Sequence, residues 1–204
     1  MRYDLQSAKK KTLARFLVIA AVAAFTAVVP SGVTRAAETD GQEEAALIKT
    51  LRSDVSAHEK EKACRRLKRI GTPECVPAVG ALLDDAKLSH MARWALESMP
   101  YPEADKALRD GLKETEGRLK VGVINSIGVR KDAKAVDQLI PLLEDPDAEV
   151  AGAAARALGD IATEPAVEAL ADFRAEADGD LEVAAADGSL RAAQELTARG
   201  QNDV

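Results

Sequence analysis

The residues able to do chemistry are few. The chain holds two thiols, Cys64 and Cys75, and two imidazoles, His58 and His90. Thiols spaced as Cys-x-x-Cys support redox exchange or zinc binding, and that spacing is absent here. Ser89, His90 and Asp85 offer the side chains of a hydrolytic triad. Ser89 and His90 are neighbours in sequence, however, and on a helix neighbours diverge by about 100°. A nucleophile and its base must share a hydrogen bond, which that divergence denies them. No catalytic, cofactor or metal residue is therefore assigned.

The best surface hint is aromatic. With Leu88 at 0° on a helical wheel, Leu88, Ala92, Ala95, Leu96 and Met99 form one packed stripe. Arg93, Glu97, His90 and Trp94 fall at about 140°, 180°, 200° and 240°. The sole Trp is thus off the stripe beside Arg93 and His90, and Tyr101 follows in a Pro-rich turn. Trp, Tyr and Arg anchor protein interfaces. Trp94, Tyr101, Arg93 and His90 are accordingly the candidate partner-binding residues. The competing reading packs Trp94 onto an adjacent helical layer. Arg65, Arg66, Lys68 and Arg69 read as a solvated face, and Lys120, Arg130 and Lys131 as a local basic spot. Neither has the interleaved aromatics of a nucleic-acid surface.

The elements that position these residues are helical. Of 204 residues, 47% are hydrophobic and only 3% aromatic, so the core must be built from small aliphatic side chains. Ala and Leu are strong helix formers, and the alternation that β-sheets require is missing. One apolar anchor recurs at Leu51, Leu82, Leu112, Leu142 and Phe173, in steps of 31, 30, 30 and 31. A second ladder runs Leu67, Leu96, Ile127, Leu158 and Leu190. Each unit therefore contains two striped segments. Gly71-Thr72-Pro73 and Asp145-Pro146 mark turns, and Thr39 with Gln42 has capping-box spacing. Helices are predicted over 41–52, 57–70, 73–84, 87–99, 102–114, 117–128, 133–144, 147–161, 164–176 and 180–198. Short connections make consecutive helices antiparallel, and the pairs stack into an all-α, right-handed α-solenoid of about five pairs. On that reading, Cys64 and Cys75 are separated by a helix spacing of roughly 8–10 Å. That exceeds the roughly 7 Å reach of a disulfide, so they read as buried thiols.

The stretch Leu142-Leu143-Glu144-Asp145-Pro146-Asp147-Ala148-Glu149-Val150, continued by Ala153-Ala154-Ala155-Arg156-Ala157-Leu158-Gly159-Asp160-Ile161, resembles a HEAT repeat of the short, phycobilisome-lyase-like kind. Leu82-Leu83-Asp84-Asp85 and Leu67-Lys68-Arg69-Ile70-Gly71 echo it. The resemblance covers roughly residues 43–198, strongest around 133–162. It departs at Ala151, where many such repeats carry an Arg that builds a polar ladder between repeats. Some HEAT proteins bind two irons through several His-Glu dyads; this chain has one, His58-Glu59. A di-iron site needs several such ligands from facing helices. Bilin lyases of the HEAT kind carry no motif that maps here.

The N-terminus reads as a targeting segment. Arg2, Lys9, Lys10, Lys11 and Arg15 precede an apolar run, Phe16 to Val29, which is shorter than a membrane span. Small residues follow, and cleavage after Ala36 fits a signal peptide. An uncleaved anchor is the alternative. The predicted organisation is a signal peptide over 1–36, a linker over 37–42, the repeat array over 43–199 and a tail over 200–204. Cleavage would remove six basic and one acidic side chain, taking the net charge from −6 to −11. Such a chain is a poor ligand for nucleic acid or anionic membrane. A signal segment ahead of a short HEAT array resembles exported bacterial HEAT proteins. The resulting expectation is a non-catalytic scaffold that binds a protein partner in the periplasm or outside the cell. The alternatives are an accessory subunit of an exported enzyme, such as an oxidoreductase, or a lyase-like enzyme. The sequence carries no signature of oligomeric state.

Overall fold

The computed structural model describes residues 31–201, and the side chains of 31–39 and Asp180 are not included. Two compact units divide the chain at Asp40 and Gly41. Of the signal peptide predicted over 1–36, residues 1–30 lie outside the described residues. Residues 31–39 are helical.

The elements are α1 (Ser31–Arg52), α2 (Ala57–Ile70), α3 (Val76–Gly80), α4 (Ser89–Ser98) and α5 (Pro102–Glu114). They continue with α6 (Gly117–Arg130), α7 (Val136–Leu139), α8 (Ala148–Ile161), α9 (Glu164–Glu176) and α10 (Asp180–Ala198). Short 3-10 turns, Pro73–Cys75, Ala133–Ala135 and Ile140–Glu144, flank α3 and α7. Within 41–201 the even-numbered helices pack in series, α2 on α4 through α8 on α10. The helices α3, α5, α7 and α9 pack against members of that row. This is an all-α solenoid of helix pairs, and no strand occurs among the described residues.

Three departures from the expected elements have local causes. The segments 73–84 and 133–144 are broken rather than single helices. In the second, Pro141 removes an amide donor and its ring crowds the preceding turn, so the chain tightens to 3-10 geometry. In the first, the chain leaves α3 at Gly80 and runs through turns until Asp85 Oδ1 accepts from the Lys87 and Leu88 amides. Thr39 lies inside α1 rather than capping it, and 37–42 is helical where a linker was read.

Caps elsewhere follow the sequence. Ser56 and Glu59 form a reciprocal capping box at α2, and Asp147 caps α8. Thr72 caps the turn before α3, with Pro73 in the first position.

The two ladders make the core. Leu67, Leu96, Ile127 and Leu158 are all fully buried. Burying each is worth roughly 1.5–3 kcal/mol. Leu51, Leu82 and Leu112 are buried, while Leu142 and Phe173 pack on the core partly exposed. Leu190 departs from its ladder: it is 57% exposed, and Ala185, Gly188 and Ala192 face inward on α10 instead. Small residues bring α8 and α10 close together. A Cβ on Gly188 would sit 2.6 Å from the Ala155 carbonyl oxygen.

Candidate protein-interaction surface

The described residues contain no group of three His, Cys, Asp or Glu that could hold a metal, and no helix long and apolar enough to cross a membrane. Cys64 and Cys75 are both free and fully buried. Burial pushes their thiols up to about 11 and about 12. At those values the thiolate, which is the reactive species, is nearly absent at neutral pH. Cys75 donates to the Thr72 carbonyl at 3.2 Å. Ser89 is buried while His90 next to it is exposed, so the two point apart.

The structure divides the four candidate partner-binding residues. His90 is exposed on α4. Trp94 is half-buried on the side of α4 facing α2, with Lys68 Nζ 3.4 Å from its ring centroid. An ammonium so placed is attracted by the ring quadrupole. Arg93 points the other way, donating to the Gly122 carbonyl at 3.2 Å and to Ser126 Oγ at 3.5 Å on α6. Burial lowers its pKa, and its Nε atom has no partner. Ser126 Oγ donates in turn to Glu97 at 2.6 Å. Arg93 is therefore a bracket between repeats and not a free surface cation. Tyr101 packs against the core half-buried. Trp94 and His90 thus remain near one surface, while Arg93 and Tyr101 serve the packing.

The same sorting separates the basic residues. Arg66 pairs with Glu43 through two hydrogen bonds of 2.7 Å, which lower the Glu43 pKa. Thr72 donates from both its amide and its hydroxyl to buried Glu44. Together these contacts fasten α1 to α2. The expected basic spot is dispersed. Arg130 pairs with Asp105 and also donates to the carbonyls of Leu96, Glu97, Met99 and Tyr101, capping the end of α4. Lys131 pairs with Glu195. These contacts, with Arg109–Asp132 and Arg191–Asp160, form a polar ladder between repeats despite Ala151. It uses Arg109, Arg130, Lys131 and Arg191 rather than the one family position, and spacing along the chain does not reveal their acidic partners.

Lys62, Arg65 and Arg69 remain as exposed cations on α2, and among the described residues neither arginine is hydrogen-bonded or ion-paired. Their spacing at i, i+3 and i+7 sets them on one helix face. That face is turned away from buried Ala63, Cys64 and Leu67, and borders the Lys68–Trp94 contact.

A second surface lies further along the row. A groove of about 680 Å³ runs across α6, α8 and α10, with Val121 and Val183 as walls and Gly152 in its floor. Arg156 in this groove makes no ion pair among the described residues, and Glu149 and Asp187 line it too. Sequence reading missed it because its walls come from three repeats.

Residues 106–191, from α5 into α10, match the family profile of HEAT repeats. No curated protein matches the chain.

Proposed function

We propose that this HEAT-repeat protein is a non-catalytic scaffold that acts outside the cytoplasm and binds an acidic segment of a protein partner across α2 and α4. HEAT arrays generally serve protein interaction, so the coarse reading follows from the repeat itself. One observation carries the finer one. The chain is acidic overall, yet Lys62, Arg65 and Arg69 stand exposed on one face of α2, beside the chain's only Trp. Arg65 and Arg69, which have no internal partner among the described residues, attract an acidic segment. A Trp already carrying Lys68 offers it an apolar anchor at the same seam.

The reading of a role outside the cytoplasm rests on the basic residues and apolar run of the first 29 residues. Intact mass of the protein from its native host tests it, with loss of residues 1–36 expected. A full-length mass leaves the anchored alternative. The partner is tested by placing a photo-crosslinking side chain at position 94 in the native host and sequencing the adduct. One recurring acidic protein is the expected outcome. If that protein is an exported oxidoreductase, the accessory-subunit alternative stands. Adducts that are diverse and no more acidic than the exported pool contradict the proposal.

A further inference from the structure

The groove over α8 has a charge order as well as a shape. Val121, Gly152 and Val183 follow one another at 31-residue steps, so they share one position in successive repeats. At the middle position there is no side chain, and the two valines stand as walls on either side. Ala148 and Ala184 add only methyl groups beside Gly152. The result is a trough along α8, between α6 and α10. A floor of small residues lets a further helix approach to the roughly 8–10 Å at which helices pack. The interior amides and carbonyls of α8 are paired within the helix, so the floor offers no ladder to an extended chain.

The two ends of the trough carry opposite charge. Glu149, Gly152 and Arg156 fall at i, i+3 and i+7 on one face of α8, with about 10 Å along the axis between the acid and the base. Arg156 is half-buried, and a Cβ on Gly152 would lie 3.4 Å from its Nη1, so the guanidinium lies back along the floor. Among the described residues neither Arg156 nor Glu149 is ion-paired. Asp187, the other acid on the groove, is engaged by Arg191 of its own helix at 3.2 Å. A guanidinium drawn partly out of water without a carboxylate leaves its strongest contact unmade.

We propose that this trough is a second docking site, which takes a helical segment of a protein partner lying along α8. The segment sets an acidic side chain against Arg156, a basic one seven residues away against Glu149, and an aliphatic one between them on Val121 and Val183. Charge complementarity selects this occupant. A uniformly acidic segment would bring a carboxylate to Glu149, and a uniformly basic one would bring a cation to Arg156; like charges so placed suppress binding. Seven residues make two helical turns, which returns both charges to one face. The site shares no residue with the α2 and α4 face and does not depend on it.

The test uses the full chain as bait for displayed peptides. The library is an Ala-rich helix with three randomised positions on one face, at i, i+4 and i+7. The wild type should enrich, roughly tenfold over the starting library, sequences with Asp or Glu at one end, Lys or Arg at the other, and Leu, Ile or Val between them. Arg156→Gln should lose the acidic preference and keep the basic one, and Glu149→Gln should do the reverse. Both variants should melt with the wild type, since neither side chain has an internal partner. Arg65→Glu/Arg69→Glu should select the same sequences as the wild type. The same three positions on a flexible Gly/Ser scaffold should not enrich. An absence of enrichment, acids selected at both ends, preferences unchanged in Arg156→Gln and Glu149→Gln, or equal enrichment on the flexible scaffold would each overturn the proposal.

Discussion

Trp94 and Leu96 sit two residues apart on α4 and do different work. Leu96 is fully buried, so Leu96→Ala should cost about 2–5 kcal/mol in chemical denaturation. Trp94 is half-buried with Lys68 on one face. Trp94→Ala should therefore cost clearly less than Leu96→Ala; an equal loss would make Trp94 a core residue. The helical wheel placed Trp94 off the stripe correctly. It could not tell that Arg93 turns to the next helix, because the Gly122 carbonyl that receives it lies 29 residues away. The thiols give a second prediction. Folding raises their pKa from about 9 to about 11 and about 12, so the folded state holds its protons longer than the unfolded one. The stability from these neutral thiols is full below about pH 9 and is lost as pH rises through 11 and 12. Removing them in a Cys64→Ala/Cys75→Ala double variant should therefore weaken the alkaline loss of stability, read from melting midpoints between pH 8 and 11. Folded protein should also resist thiol reagents at pH 8, and rapid labelling there would contradict the burial.

At the scale of elements, small residues set how closely helices stack. The Ala155 carbonyl leaves no room for a Cβ on Gly188, whereas one on Gly41, inside α1, would meet nothing within 4 Å. Gly188→Ala should cost about 1–3 kcal/mol by forcing α8 and α10 apart. Gly41→Ala should stabilise by about 0.5–1 kcal/mol by restricting the unfolded chain. Melting midpoints moving in opposite directions would confirm the contrast; a shared direction would reject it. Most helices were legible from their stripes, because Leu and Ala recur where each helix meets the core. The broken segments were not, since a short apolar stripe around Pro77 or Pro141 looks the same in an α-helix and in a 3-10 turn. Leu190 misled for another reason. It keeps the repeat's spacing from Leu158, but Ala185, Gly188 and Ala192 turn α10 so that Leu190 faces outward.

Across the whole molecule, the repeat period fixes the architecture, and the residues that break its pattern mark the candidate surfaces. Leu and Ala recur to build the array. Lys62, Arg65 and Arg69 on α2 and Trp94 on α4 lie where packing does not bury them fully, and the leucine at 190 is exposed. The repeat could be read from sequence because it depends on spacing along the chain. The surfaces depend on which side chains from different repeats meet, which spacing alone does not report. The central claim is that the α2 and α4 face receives an acidic protein segment. Emission from Trp94, the only Trp, reports on that face directly. The chain is titrated with an Asp- and Glu-rich peptide at low ionic strength, alongside an Arg65→Glu/Arg69→Glu variant. The account predicts a saturable emission change that added salt weakens and the variant loses. An unchanged emission, or equal binding by the variant, would contradict it.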